Sequence, residues 1–260
     1  PATLPGTTTP AGPAGVGWAT ASISTTGVMT LAGRLGDGTT FTTALSPDVA
    51  SDPGYRFWVQ PYVAARTASF LAGELTLLPH PNPSSNASLV NRRYVAAADL
   101  TWQKTGLPAD VSYRTGFGPV STVLMLDPWL APTVATKTTP AISLAQRLGL
   151  TGSPTNFVVT HSETSSTSQV SLPTRLGLSA TNLVSVLLPA TTPIANSTKW
   201  KTLTFKPTTG TFTGSFELSD VVSSKTVLRP VTFSGVLRQP ASNSDTVIGD
   251  GHYLLPSLTS

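Results

Sequence analysis

The sequence predicts an all-β fold, an antiparallel β-sandwich or barrel-like body of about 14–16 strands. Three observations predict it. Short stretches that alternate apolar and polar residues recur along most of the chain, as half-buried strands require. The 260 residues include 23 Pro and 21 Gly, which interrupt the chain too often for long helices. Thr recurs inside the alternating runs, as in "TFTTALS" and "TLTFKPTTGTFTG". Its β-branched carbon favours extended backbone, and its hydroxyl keeps an exposed face wet.

The elements follow in order. Residues 1–15, "PATLPGTTTPAGPAG", carry no period and read as a Pro/Thr/Gly-rich linker or an extended arm. "WATASIS" then alternates, "TGV" turns, and "VMTLAGRL" and "TFTTALS" flank "GDGTT", a hairpin signal because Asp-Gly tolerates positive φ. The aromatic strand "YRFWVQPYVA" contains Pro61, which cannot donate a ladder hydrogen bond and so points to an edge or a bulge. "ASFLAGELTLL" follows, then a polar loop over residues 79–93, then "YVAAADLTWQK", "VSYRTGF" and "STVLML". "AISLAQRLGL" fits either one short helix or a strand. "TNFVVTHSE", "TSQVSLP" and "LVSVLLP" read as strands, and "WKTLTFKPTTGTFTGSFELSD" as a hairpin turning at "KPTTG". "RPVTFSGVLRQ" and "GDGHYLLPS" close the chain. The expected organisation is an N-terminal β unit over residues 16–130 and a C-terminal β unit over 131–260, as two related subdomains or one continuous domain.

A unit of the form apolar-x-Gly-x-apolar recurs four times, centred on Gly33, Gly73, Gly214 and Gly235. Side chains repeat every two residues along a strand, so each glycine shares a face with its two large neighbours. That places it toward the core. It leaves a notch for a facing aromatic, with Trp18, Trp58, Trp102 and Trp200 as candidates, or for the close approach of another backbone.

The order of these motifs, from "GVGWATASISTTGVMTLAGRLGDGTTFTTA" through "SFLAGELTL" and "ADLTWQK" to "GTFTGSFEL", "VTFSGVLRQ" and "GDGHYLLPS", resembles a known pattern. It resembles the β-rich, glycine-patterned region near the C-termini of large secreted surface proteins of verrucomicrobial and planctomycete type. The resemblance spans residues 16–257 with gaps. Gln60-Pro61 and the ending "DGHYLLP" depart from it. It implies secretion and a surface or accessory module. That family has no established chemistry, so no catalytic residue carries over.

Composition excludes several function classes. There is no cysteine, hence no disulfide, thiolate metal site or cysteine nucleophile. Net charge is +4 and pI about 9.6, but the 16 Lys and Arg are scattered and the one doublet is Arg92-Arg93. A nucleic-acid binder would concentrate them in a stripe with aromatic platforms. No apolar run approaches the roughly 20 residues that span a bilayer as a helix. Charged residues make up only 11% of the chain, and with the Thr-rich strands this points to an extracellular or cell-surface protein.

Catalytic motifs are not found. His80, His161 and His252 stand in no ligand spacing, and no metal or cofactor site is expected. Glu74 and Glu217 fall on the outward faces of their strands, where a carboxylate is usually solvated. Asp37, Asp220 and Asp250 lie in turns and stabilise backbone there. The candidate ligand-binding residues are aromatic. Tyr55, Trp58 and Tyr62 lie on one strand, and Trp129 sits between prolines in "DPWLAP". A flat ring in such a place stacks against the C–H face of a sugar. The expectation is a non-enzymatic structural or adhesive β protein. It would assemble with copies of itself into filaments or a surface layer, through strand edges or the N-terminal arm, or bind other surface proteins. The alternative is a carbohydrate-binding accessory module for polysaccharide.

Overall fold

The computed structural model describes residues 2–4, 12–13, 15–46, 54–59, 68–79, 93–109, 113–138, 140–150, 155–158, 175–179, 181–186, 199–222, 225–239 and 249–254. The chain is all-β, with sixteen strands and one short helix among these residues. It divides into two compact units. The first comprises residues 1–129 and 249–252, and the second comprises residues 130–248 and 253–260.

The first unit holds β1 (Ala2–Leu4), β2 (Gly17–Ile23), β3 (Met29–Arg34), β4 (Thr40–Leu45), β5 (Gly54–Val59), β6 (Phe70–Thr76), β7 (Leu78–Pro79), β8 (Arg93–Thr105) and β9 (Gly116–Leu126). They form one antiparallel sheet in the order β4-β3-β2-β1-β9-β8-β6-β5, with β7 paired to β8. The order ends at β4 and β5, which no strand pairing joins among the described residues, so the sheet is an open, sandwich-type architecture and not a closed barrel. Within the stretch read as linker or arm, Ala2–Leu4 are a strand lodged between β2 and β9 of their own chain.

The nine-stranded sheet folds over on itself. β3 and β8 are four strand positions apart, which in a flat sheet is about 19 Å. Yet Asp37, in the hairpin after β3, lies 2.9 Å from Lys104 on β8. Only a curled sheet allows this. The inward faces then share one core, including Met29, Leu31 and Phe41 from one flank and Leu71, Leu100 and Leu124 from the other.

The turns explain where these strands stop. Ser24–Val28 closes the β2–β3 hairpin through a Ser24 N–H donated to the Val28 carbonyl, with Gly27 at φ 85°. Leu35–Thr39 repeats this geometry with Gly38 at φ 87°. Both are three-residue loops whose last member is left-handed, the position that favours glycine. Ser179–Leu183 in the second unit has the same bonds, with Asn182 at φ 65° in the glycine's place. In the Ser24 and Ser179 turns the serine hydroxyl also accepts the N–H four residues on.

The second unit contains α1 (Leu144–Arg147), β10 (Thr155–Val158), β11 (Arg175–Leu178), β12 (Val184–Val186), β13 (Lys199–Lys206), β14 (Thr211–Val222) and β15 (Lys225–Leu237). β16 (Gly249–Tyr253) is divided between the units at His252. The open choice at "AISLAQRLGL" resolves as a helix. Ser143 and Gln146 form a reciprocal capping box that starts it. β10, β11 and β12 form one antiparallel meander, and β13, β14 and β15 another. The Gln239 side-chain amide clasps the Leu130 backbone from both sides, accepting its N–H at 2.9 Å and donating to its carbonyl at 2.7 Å.

Pairing register shows what meets each recurrent glycine. Gly33 stands opposite Phe41, Gly73 opposite Phe57, Gly214 opposite Phe233 and Gly235 opposite Phe212. Directly opposed residues share a face, so Gly33, Gly214 and Gly235 each sit beside a phenylalanine on the neighbouring strand. In the second unit the match is reciprocal: Phe212-x-Gly214 and Phe233-x-Gly235 run antiparallel and exchange partners. The tryptophans nominated for these notches lie elsewhere in register. Trp18 pairs with Arg34, Trp58 with Ala72, Trp102 with Val120 and Trp200 with Phe216.

Candidate functional site

Two places concentrate side chains that a plain β core does not require. The first is on the surface. β5 is a terminal strand of the sheet, and Trp58 at its outer end is 64% exposed. Its ring stacks on Phe70 of β6, with centroids 5.3 Å apart and planes 11° from parallel. The pair presents a flat, apolar surface at a sheet edge. Tyr55 shares β5, where its backbone opposes Leu75, and Tyr62 lies outside the described residues. Trp129 follows β9 in irregular backbone and is half-buried. Of the aromatics nominated from sequence, Trp58 is therefore the one seen on open surface. Phe70 was not nominated, because its stacking depends on the β5–β6 register, which no local pattern displays.

The second place is buried. β8 turns Ala98, Leu100, Trp102 and Lys104 inward on alternate residues. Lys104 is thus a cation at a core position, and its ammonium meets the Asp37 carboxylate at 2.9 Å, with the two side chains 3% and 0% exposed. The turn shapes this acceptor. Asp37 also takes the Thr39 N–H and the Thr39 hydroxyl, each at 3.0 Å. The Tyr113 ring lies 5.8 Å from the Lys104 nitrogen. Phe117 is directly across from Lys104 in register and packs edge-on against Trp102 and Tyr113.

His252 lies beside this pair. Its ring is packed where Gly15 leaves room, since a Cβ on Gly15 would stand 3.1 Å from Nδ1. The imidazole is buried and its Nε2 has no hydrogen-bond partner. Burial holds its pKa below the usual value, and the Arg34 charge pushes in the same direction, while the Asp37 charge opposes both. Asp37, read from sequence as a turn residue, is therefore both a turn residue and one half of a buried ion pair. Lys104 and its pairing with Asp37 were missed. The available signal was a lysine at the inward parity of "ADLTWQK".

Glu74 is exposed on β6, and Glu217 pairs with Lys201 at 2.9 Å near the surface. Among the described residues no three His, Cys, Asp or Glu side chains gather to hold a metal ion. His80, His161 and Glu163 lie outside those residues. No helix among the described residues is long and apolar enough to cross a membrane. No protein-family model matches the chain, and no curated protein or solved structure does.

Proposed function

We propose that this chain is a non-enzymatic, secreted or cell-surface structural protein that assembles with copies of itself through strand edges. The observation that carries this reading is the set of strand edges that have no strand partner among the described residues. β4 and β5 end the sheet of the first unit. In the second unit the β14–β15 hairpin runs past β13, whose pairing stops at Glu217, and on its far part Val227 and Leu228 are exposed. An edge that carries unpaired N–H and C=O groups beside apolar side chains is a template for another strand. Head-to-tail pairing of two unlike edges need not close, and would give filaments or a layer. The N-terminal arm is a weaker route, because Ala2–Leu4 already fill a place in their own sheet.

Light scattering over a concentration series, with negative-stain microscopy, tests the reading. Mass rising with concentration, and ordered filaments or sheets, are expected. Thr42→Lys on the terminal strand β4, with Leu228→Lys on the exposed far part of the β14–β15 hairpin, places charge on two exposed strand positions and should abolish assembly with little change in melting temperature. A chain that remains monomeric at every concentration would overturn it.

The exposed Trp58–Phe70 stack favours a second reading, a carbohydrate-binding module, since an exposed indole beside a second ring suits a pyranose face. Titration with polysaccharide should then quench or blue-shift tryptophan emission, and Trp58→Ala should remove the response.

A further inference from the structure

We propose that Lys104 and Asp37 join spontaneously in an intramolecular isopeptide bond, a covalent staple between the two flanks of the first unit. The inference is independent of the assembly reading and rests on the buried pair alone. Nucleophile and electrophile are already in place, with Nζ 2.9 Å from Oδ2. Both are withdrawn from water, at 3% and 0% exposure, so the pair is not exchanged for solvent partners. Each is also held from behind. Thr39 grips the carboxylate through two hydrogen bonds, and Tyr113 and Phe117 wall the lysine. Reacting atoms fixed at this range gain the advantage that makes intramolecular reactions fast.

The step balances without any reagent. The ammonium passes one proton to the carboxylate, giving a neutral amine and a neutral acid. Nζ then attacks Cγ and a C–N bond forms. One carboxyl oxygen leaves as water, carrying the transferred proton and a second one from nitrogen. A secondary amide remains. A chain without cysteine has no disulfide to serve this purpose.

One competing reaction must be separated from it. Gly38 follows Asp37, and attack of the Gly38 nitrogen on the same Cγ would give a succinimide, which also loses one water. The two products differ in connectivity. The test is the intact mass of the full chain under denaturing conditions, followed by tryptic mapping. The expected result is a mass one water below that of the sequence, no tryptic cut after Lys104, and a branched peptide joining the segment that begins at Leu35 to the one that begins at Tyr94. Lys104→Met should restore the full mass. A wild-type chain of full sequence mass would overturn the proposal. So would a water loss confined to a linear Asp37-Gly38 peptide with normal cleavage after Lys104. The wild-type measurement decides by itself, even should the Lys104→Met chain fail to fold.

Discussion

A lysine on the inward side of β8 would be costly with no anion to meet it, and the β3–β4 hairpin supplies that anion. The hairpin is built so that Asp37 is fixed before it is paired: its carboxylate satisfies Thr39, and the αL glycine beside it lets the loop close. Removing one partner takes a close charge-charge contact away from the other inside the core. Lys104→Met should therefore cost about 3–5 kcal/mol. Asp37→Asn with Lys104→Met should cost less than Lys104→Met alone, since the amide still accepts from Thr39 and the buried carboxylate charge is gone as well. Denaturant midpoints of the two variants check the order. His252 gives the same pocket a pH dependence. Its folded pKa lies below the unfolded value of 6.5, so the unfolded chain takes up the proton first as pH falls. Its contribution is complete above that value, is lost as pH drops from 6.5 toward the folded pKa, and then levels off. Unfolding midpoints from about pH 8 to about pH 5 should fall more steeply for the wild type than for His252→Gln. Equal slopes would remove His252 as the cause.

At the scale of elements, the recurrent glycine solves a packing problem between adjacent strands. A Cβ on Gly214 would stand 2.2 Å from the Phe233 ring and 2.5 Å from the Thr202 carbonyl. The strands approach this closely because the ring of one lies over the bare backbone of the other. Gly214→Ala should therefore destabilise the chain by about 1–3 kcal/mol. Phe233→Leu in the same chain should return part of that loss, though not all, because the Thr202 carbonyl is backbone. A double-mutant cycle from chemical denaturation measures the coupling. The face on which each glycine sits was legible in the sequence, because period two fixes parity within a strand. The phenylalanine opposite it was not, because register belongs to two strands at once. The same division explains the buried pair. The turn role of Asp37 and the inward parity of Lys104 are each local, while their meeting depends on a sheet curling across four strand positions. On the surface, "YRFWV" displayed Trp58, but its exposure and its stack on Phe70 follow from β5 ending the sheet.

At the scale of the whole chain, the all-β class was legible because alternation and turn chemistry agree along the entire length. The return of Gly249–His252 to the first unit was not, since those residues follow the second unit's strands in sequence. Nor was the role of the first residues, whose Pro/Thr/Gly surroundings hide a strand of only three. β1 is the one link between β2 and β9 in the sheet order. Without it the sheet divides into β4-β3-β2 on one side and β9-β8-β6-β5 on the other. Two inner strands then become edges, held together by the shared core and by the Asp37–Lys104 contact. Each backbone hydrogen bond contributes about 0.5–1.5 kcal/mol net, and β1 bonds on both sides, so deleting residues 1–4 should cost about 3 kcal/mol. The new edges should also pair between molecules, because an exposed unpaired strand recruits another. Deletion is therefore expected to lower the denaturant midpoint and raise the scattering mass together. A deleted chain that keeps its midpoint and its mass would show that Ala2–Leu4 are dispensable to the sheet, and would return the N-terminal segment to the role of a free arm.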